Sequence, residues 1–299
     1  MGTRKIAFSV FSIDQIVDSV IDLDVPQILS EILSHTSSVR ERMMRLPESE
    51  SGDSDFISKF KFGKDNVVFG SFLRLRESAE SVLRMEDLDK PMIEISDVMR
   101  EPLERSAGTV KDSLFFLAKD RYIILSNSHN NKKAFLACMQ WLFKNHGKNA
   151  DFTFTPLHNK KTEIPIKEIV SIRLADSYIA SVMDSQSFNL KRSILRSLMS
   201  DVDVPAEFDW DSMVSATLLV KMKRGALKRE NALKTALRLT DSDDVTIIGK
   251  DGKRLKGSDY VVKVVRNIES TDGGYYNEPV IEGVMYEIIQ KVKDSNLAN

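Results

Sequence analysis

The segment SLFFLAKDRYIILSNS, at residues 113–128, limits the possible folds of this chain more than any other. Two runs rich in aromatic and β-branched residues are separated only by Lys119, Asp120 and Arg121. Apolar runs of this composition are typical of buried strands, and a short polar interruption between them is typical of a hairpin. The segment therefore predicts an antiparallel β-hairpin within a folded domain.

Further strand patterns lie on either side of this hairpin. In chain order they are KIAFSVFSI (5–13), DNVVFGSFLRLRES (65–78), KPMIEISDV (90–98), DFTFTPL (151–157) and EIVSIRLAD (168–176). We expect Gly70 to mark a β-bulge in the second of them, because an isolated glycine within a strand pattern often does so.

Two segments in the same part of the chain have the apolar spacing of helices. DVPQILSEILSHTS (24–37) has Asp24 as a candidate N-cap and Pro26 in its first turn. KKAFLACMQWLFKNHG (132–147) ends at Gly147, a typical C-terminal stop. Strands and helices in this order predict an α+β domain at residues 1–184, built on a mostly antiparallel sheet.

The remainder of the chain predicts a smaller α+β module. Residues 185–214 combine a helix with an acidic connector. From residue 215 onward the pattern is strand, helix, a hairpin that turns at Asp251–Gly252, the strand YVVKVVRNI, and a closing helix. The predicted organisation is therefore an N-terminal domain (1–184), a connector (185–214) and a basic C-terminal module (215–299).

Charge is unevenly distributed along a chain that is almost neutral overall. The whole chain has 43 Lys and Arg against 44 Asp and Glu, whereas residues 221–266 contain 13 basic and 6 acidic residues. Such segregation predicts an oriented electrostatic surface. An array of cations on one rigid face suits a nucleic-acid backbone, because counterion release supplies much of the binding free energy.

The candidate nucleic-acid-binding residues come from a strand, a helix and a hairpin of the basic module. On a helical projection, the basic side chains of 224–238 lie away from Ala226, Leu233 and Leu237. The first set is Lys221, Lys223, Arg224, Lys228, Arg229, Lys234 and Arg238, and the second set is Lys250, Lys253, Arg254 and Lys256. We expect Lys263 and Arg266, and also Arg74 and Arg76, to extend this surface.

The sequence therefore predicts a non-catalytic nucleic-acid-binding protein, with DNA favoured over RNA and with no cofactor, metal or catalytic residue. A homodimer is also expected, since it would double the basic area and raise avidity. One alternative is a metal-dependent nuclease or another phosphate-handling enzyme, with Glu163 and Lys167, or Glu94 and Asp97, as fragments of its site. Another alternative is a module that binds an acidic protein partner. The competing explanation for the basic segment is a solvated charged surface with no binding function.

No metal or phosphate-loop motif stands out in the sequence. The four histidines, His35, His129, His146 and His158, lack metal-ligand spacing, and GKDGKRLKG (249–257) lacks the Walker spacing. The single cysteine, Cys138, excludes an internal disulfide and favours a reducing compartment. We find no secretory signal and no run of about 18 apolar residues. We therefore expect a cytoplasmic protein that does not insert into a membrane.

The order of these elements resembles that of a known family. A β-rich part containing FGSFLRLRES and LFFLAKDRYIILSNS precedes a tail with VKMKRGALKRENALKTAL, DVTIIGKDGKRLKGSDYVVKVV and a final helix. In length and layout the chain resembles the RexA-type phage-exclusion proteins and related bacterial phage-defence proteins. The resemblance implies a two-domain cytoplasmic DNA-binding protein that acts as a dimer in phage defence or abortive infection. The basic segment 221–238 would face DNA, and no catalytic residues are implied.

Overall fold

A computed structural model describes ten segments of the chain. They are residues 2–15, 24–46, 53–76, 85–94, 109–126, 131–157, 168–174, 218–221, 245–270 and 276–294. The chain divides into two compact units: unit 1 comprises Met1–Thr155 and Lys263–Asn299, and unit 2 comprises Pro156–Val262. Helices accompany strands in the described residues, and the strand pairs are antiparallel, so the predicted α+β class is confirmed.

Unit 1 is built on an eight-stranded sheet with the strand order β12–β1–β6–β5–β4–β3–β2, and β7 also pairs with β1. The strands are β1 (Thr3–Gln15), β2 (Met43–Arg45), β3 (Ser54–Phe62), β4 (Val68–Arg76), β5 (Thr109–Lys119), β6 (Tyr122–Ser126), β7 (Phe152–Pro156) and β12 (Lys263–Glu269). The helices are α1 (Val25–His35), α2 (Lys132–Asn145) and α4 (Glu278–Asp294), with short 3-10 helices at Arg40–Arg42 and Met85–Asp89.

The predicted hairpin forms the centre of this sheet. Strands β5 and β6 pair from Phe116 with Leu125 to Lys119 with Tyr122. Asp120 sits in the tight turn with φ 52°, a left-handed conformation that Asp tolerates better than most residues. Alternate side chains of β5 are buried on opposite faces of the sheet, so the hairpin supplies core residues to both.

Helices α1 and α2 cover one face of the sheet. As predicted, Asp24 caps α1, since its Oδ1 accepts a hydrogen bond from the Gln27 backbone N–H at 3.0 Å. On α2, Phe135 packs against Phe72 of β4 and Phe116 of β5, with ring centroids 5.4 Å and 4.9 Å apart. These aromatic contacts lie in the main hydrophobic core of unit 1.

The prediction of a bulge at Gly70 was wrong. Gly70 pairs directly with Phe60 and Phe116, and the register shifts occur at Ile57/Lys59 and Arg74/Leu75 instead. A Cβ at Gly70 would lie 2.6 Å from the Lys59 carbonyl oxygen and 2.7 Å from the Phe116 ring. Glycine is therefore needed there because backbone and ring approach closely.

The segment 90–98 also differs from its prediction in the part that the structure describes. Residues 90–94 contain no strand. They are tied to β3 by the Ile93 backbone N–H, which donates to the Ser58 carbonyl at 2.9 Å. Residues 95–98 lie outside the described segments.

Strand β12 and helix α4 belong to unit 1, which differs from the predicted module at 215–299. β12 pairs with β1 over seven consecutive residue pairs, from Thr3 with Glu269 to Ser9 with Lys263. Helix α4 buries Ile281, Met285 and Ile289 and packs against β5, β6 and β12. Helix α4 is apolar on the side that packs on the large sheet, and β12 extends that sheet by pairing with β1. These long-range contacts override the proximity of both elements in sequence to the basic segment.

Unit 2 contains a separate four-stranded sheet. Its elements are β8 (Ile169–Leu174), β9 (Leu218–Lys221), β10 (Val245–Gly249), β11 (Arg254–Lys256) and the short helix α3 (Gly257–Tyr260). β8 had been expected in the N-terminal domain, but it pairs with β10 and β9. The predicted helices at 185–201 and 225–239 lie outside the described residues. None of the described helices has the length and apolar character needed to cross a membrane.

Candidate nucleic-acid interface

The unit 2 sheet has the strand order β11–β10–β8–β9, and its edge is formed by a hairpin. The hairpin turns at Gly252, which has φ 79°, as the sequence predicts for Asp-Gly. The turn is held by the Lys253 backbone N–H, which donates to Asp251 Oδ1 at 3.1 Å, and by the Gly249 N–H, which donates to the Lys253 carbonyl at 2.9 Å. The β10–β11 hairpin is therefore a defined support for its basic side chains.

One face of this sheet is apolar and buried. Val245, Ile247 and Ile172 are each no more than 1% exposed. Because side chains alternate along a strand, the residues between these positions lie on the opposite face. That opposite face contains Ser171, Arg173, Thr246, Ile248, Arg254 and Lys256.

The register places cations on both sides of a threonine. Thr246 of β10 pairs with Lys256 of β11 and with Arg173 of β8, so the three residues form one row across the sheet. Arg254 lies two residues before Lys256, about 7 Å away along β11, and the strands that hold Lys256 and Arg173 are about 10 Å apart. We call Arg173, Thr246, Arg254 and Lys256 the basic sheet face.

The three cations of this face are exposed. Within the described part of the chain, none of them forms an ion pair with a carboxylate. Nearby, Lys253 lies 3.7 Å from Asp251, with both side chains more than half exposed, so water screens that pair strongly. The charge of the basic sheet face is therefore not neutralised by any described neighbour.

The cations on the large sheet of unit 1 have a different environment. Arg74 donates from Nε and Nη2 to the two carboxylate oxygens of Asp55, each at 2.7 Å, and Asp55 is fully buried. These hydrogen bonds raise the pKa of Arg74 above its ordinary value. Arg76 lies 3.3 Å from Asp53. The prediction that Arg74 and Arg76 extend the basic surface therefore does not hold.

A pocket between β3, β4 and the start of α4 is likewise lined by paired charges. Lys59 Nζ lies 2.8 Å from Glu94 and 2.9 Å from Glu278, above a floor that includes Phe69 and Phe115. Burial lowers the pKa of Lys59, but the hydrogen bonds to Glu94 and Glu278 together raise it above its ordinary value. Glu94, one fragment considered for a nuclease, is thus engaged with a lysine, and the described residues contain no group of potential metal ligands.

The predicted interface residues are distributed over three parts of the chain. Lys250, Lys253, Arg254 and Lys256 lie together on the β10–β11 hairpin and are exposed. Lys221 ends β9, opposite Ser171 in the row that also includes Arg254. The remaining six residues, Lys223, Arg224, Lys228, Arg229, Lys234 and Arg238, lie outside the described segments.

Two further predicted cations belong to the other unit. Lys263 and Arg266 are in β12, which is a strand of the unit 1 sheet. The expectation that every cation between residues 221 and 266 belongs to one module therefore fails for these two. The cause is the pairing of β12 with β1, which the charge pattern does not reveal.

Sequence reasoning missed Arg173 and Thr246. Both lie in segments that were recognised as strands, but β8 was assigned to the wrong domain, which removed Arg173 from the basic surface. A signal was available in IVSIRL, where Ser171 and Arg173 flank the buried Ile172. This alternation of polar and apolar residues is typical of a strand with one polar face. In the structure Arg173 is exposed on that face, whereas Ser171 is buried.

Comparisons with known proteins returned no matching family model, no similar curated protein and no similar solved structure. The resemblance to RexA-type proteins therefore stays a prediction from the sequence.

Proposed function

We propose that this protein binds nucleic acid through the phosphate backbone and that the basic sheet face of unit 2 makes the contact. The observation that carries the proposal is the row Lys256–Thr246–Arg173. It presents one exposed cation on each side of the Thr246 hydroxyl, and no described carboxylate neutralises either of them.

The chemistry of this row suits a phosphodiester. Directly opposed residues on neighbouring strands have Cβ atoms about 5 Å apart, so one phosphate can reach the Thr246 hydroxyl and both flanking cations. A guanidinium binds two phosphate oxygens at once, and an ammonium and a hydroxyl each donate to a single oxygen. Binding of this kind follows the backbone and is independent of base sequence.

The strands that carry the basic sheet face are held in place by the buried side of the unit 2 sheet. The side chains of the opposite face, among them Ile172 and Ile247, are buried, so the strands cannot rotate without exposing apolar surface. The preference for DNA and the setting in phage defence come from the sequence and its resemblance alone, and both stay predictions.

A fluorescence anisotropy titration with labelled duplex DNA, single-stranded DNA and RNA at moderate salt tests the proposal. The wild type should bind at least one of these probes. The double variant Arg173→Glu with Lys256→Glu should bind that probe at least tenfold more weakly, since it replaces two attractive charges by two repulsive ones.

The control carries the same change of charge in unit 1. The double variant Arg40→Glu with Lys90→Glu alters exposed residues that already pair with Asp89 and Asp87, and it should bind like the wild type. Equal binding by the wild type and the unit 2 variant would contradict the proposed site. Failure of the wild type to bind any probe would contradict the function.

A further inference from the structure

The two edges of the large sheet in unit 1 differ in length and regularity. One edge is β2, which has three residues. The other is β12, which has seven residues and pairs with β1 without a shift in register. Proteins usually shorten, bend or cover their edge strands, because a long straight edge offers unpaired backbone groups to another strand. Among the described residues, the only protection of β12 from Lys263 to Asn267 is the charge of Lys263 and Arg266. Just beyond the strand, Ser270 forms an isolated bridge with Tyr276.

The hydrogen bonds show which backbone groups of β12 point away from β1. The Ser270 N–H donates to the Gly2 carbonyl at 2.8 Å, so the backbone of Ser270 faces β1. Because backbone groups alternate along a strand, those of Lys263, Val265 and Asn267 face outward. The Val265 carbonyl accordingly accepts from Arg266 Nη1 at 3.2 Å, a bond within the edge itself.

The side chains along this edge are open to solvent. Val265 is 40% exposed, although it lies in the middle of the strand, and Lys263, Arg266 and Asn267 are exposed as well. An apolar side chain at the centre of an uncovered edge gains from a partner that buries it. The edge is therefore suited to accept another strand.

We propose that β12 pairs with β12 of a second copy of this chain, antiparallel, about a two-fold axis at Val265. In this register Val265 lies opposite Val265, Lys263 opposite Asn267, and Val264 opposite Arg266. The outward-facing residues of each strand meet the outward-facing residues of the other. The two Val265 residues then exchange backbone hydrogen bonds, and the Arg266 guanidinium gives up its bond to the Val265 carbonyl.

Side-chain chemistry favours this register over axes at Arg266 and Asn267. An axis at Arg266 would set two guanidinium groups directly opposite each other, and like charges in that position destabilise strand pairing. An axis at Asn267 would place Val265 opposite Glu269 and leave the exposed valine without an apolar partner. The axis at Val265 avoids the opposed guanidinium groups and gives each exposed valine an apolar partner. It forms the same isologous contact on each chain.

A contact through one strand pair is smaller than a standard protein–protein interface, so we expect a weak, reversible dimer. This inference does not depend on the proposed nucleic-acid binding, since the edge lies in unit 1 and no ligand takes part.

Single-cysteine cross-linking tests both the surface and the register. In Val265→Cys the two Cα atoms would lie about 5.5 Å apart, within the range that a disulfide spans. In Asn267→Cys they would be more than about 13 Å apart, because each residue lies four positions from its own copy. The native Cys138 is buried and does not compete.

Under mild oxidation we expect Val265→Cys to form a disulfide-linked dimer, while Asn267→Cys and Val280→Cys stay monomeric. Val280 is a matched control because it is 42% exposed but lies on α4. In sedimentation velocity, Val265→Lys should lose the concentration-dependent dimer that the wild type and Val280→Lys retain. Cross-linking of Val265→Cys no faster than Val280→Cys, equal cross-linking of Asn267→Cys, or a wild type that is monomeric at every concentration would each overturn the inference.

Discussion

The two sheets of this protein each contain a row of charged residues, and the rows have opposite arrangements. In unit 1, Arg74 of β4 lies between Asp55 of β3 and Asp112 of β5. In unit 2, Thr246 lies between Lys256 and Arg173. The first row places a cation between carboxylates and satisfies it within the fold. The second places a hydroxyl between cations, whose charge stays available to a ligand.

The contrast shows that strand register, more than the number of basic residues, decides whether a cation is paired within the fold or stays available to a ligand. Arg74 is bonded in a bidentate manner to a carboxylate that is fully buried, so its loss would leave an uncompensated charge in the interior. Arg173 is exposed, and no described carboxylate needs it.

The largest effect is expected from Arg74→Ala. It should lower the free energy of unfolding of unit 1 by about 3 kcal/mol, because Asp55 loses its partner. The buried thiol of Cys138, whose Sγ lies 3.6 Å from the Asp55 carbonyl, reports this locally. Its alkylation should become roughly 100-fold faster, since each 1.4 kcal/mol corresponds to about a factor of ten.

The matched control is Arg173→Ala, which removes the same side chain from the other row. Its alkylation rate should stay within about twofold of the wild type, as expected for an exposed residue. If Arg74→Ala and Arg173→Ala change the rate equally, the two rows do not differ in the way described.

A second effect is expected from the titration of Cys138. Burial raises the pKa of this thiol well above its ordinary value, and the charge of Asp55 acts in the same direction. The unfolded thiol ionises at about pH 8.5, while the folded thiol stays protonated. Its contribution to stability is therefore complete below that pH and is lost as the pH rises.

Urea unfolding at pH 8 and pH 10 measures this contribution. Between these values the wild type should lose about 2 kcal/mol more than Cys138→Ala, since each pH unit above the unfolded pKa costs about 1.4 kcal/mol. Comparing the two proteins cancels the titration of groups that they share. Parallel losses would show that the thiol ionises as readily in the folded protein as in the unfolded one.

The smallest effect is expected from Thr246→Val, which keeps the shape of the side chain and removes the hydroxyl from the basic sheet face. Nucleic-acid affinity should fall about fivefold, corresponding to one lost hydrogen bond of about 1 kcal/mol. The control is Thr155→Val, because Thr155 Oγ1 is buried and has no described hydrogen-bond partner. Affinity should not change in the control, and an equal loss in both variants would remove Thr246 from the site.

Much of the fold could be predicted from the sequence where local patterns were strong. The hairpin around Asp120, the Asp24 cap and the helix at 132–147 depend on short-range preferences, and the structure has all three. The predicted hairpin at Gly252 also formed, because its turn needs a residue that tolerates positive φ.

The pairings between distant segments could not be predicted in this way. Nothing local distinguishes β12 as a partner of β1 or β8 as a partner of β10, since both are short apolar runs that would fit either sheet. Whether a basic residue is paired with a carboxylate is equally hard to predict, because Arg74 and Arg173 lie in similar patterns of alternating polar and apolar residues. Only the register reveals that one faces Asp55 and the other faces Thr246.

The most direct test of the basic sheet face is the salt dependence of nucleic-acid binding. The slope of log K against log salt concentration reports the number of phosphates that the protein neutralises, at about 0.9 per contact on duplex DNA and about 0.7 on a single strand. For the double variant Arg173→Ala with Lys256→Ala, we expect a slope shallower than that of the wild type by about 1.8 on duplex or about 1.4 on a single strand. An unchanged slope would show that these two residues do not contact phosphate and would contradict the proposed role of the basic sheet face.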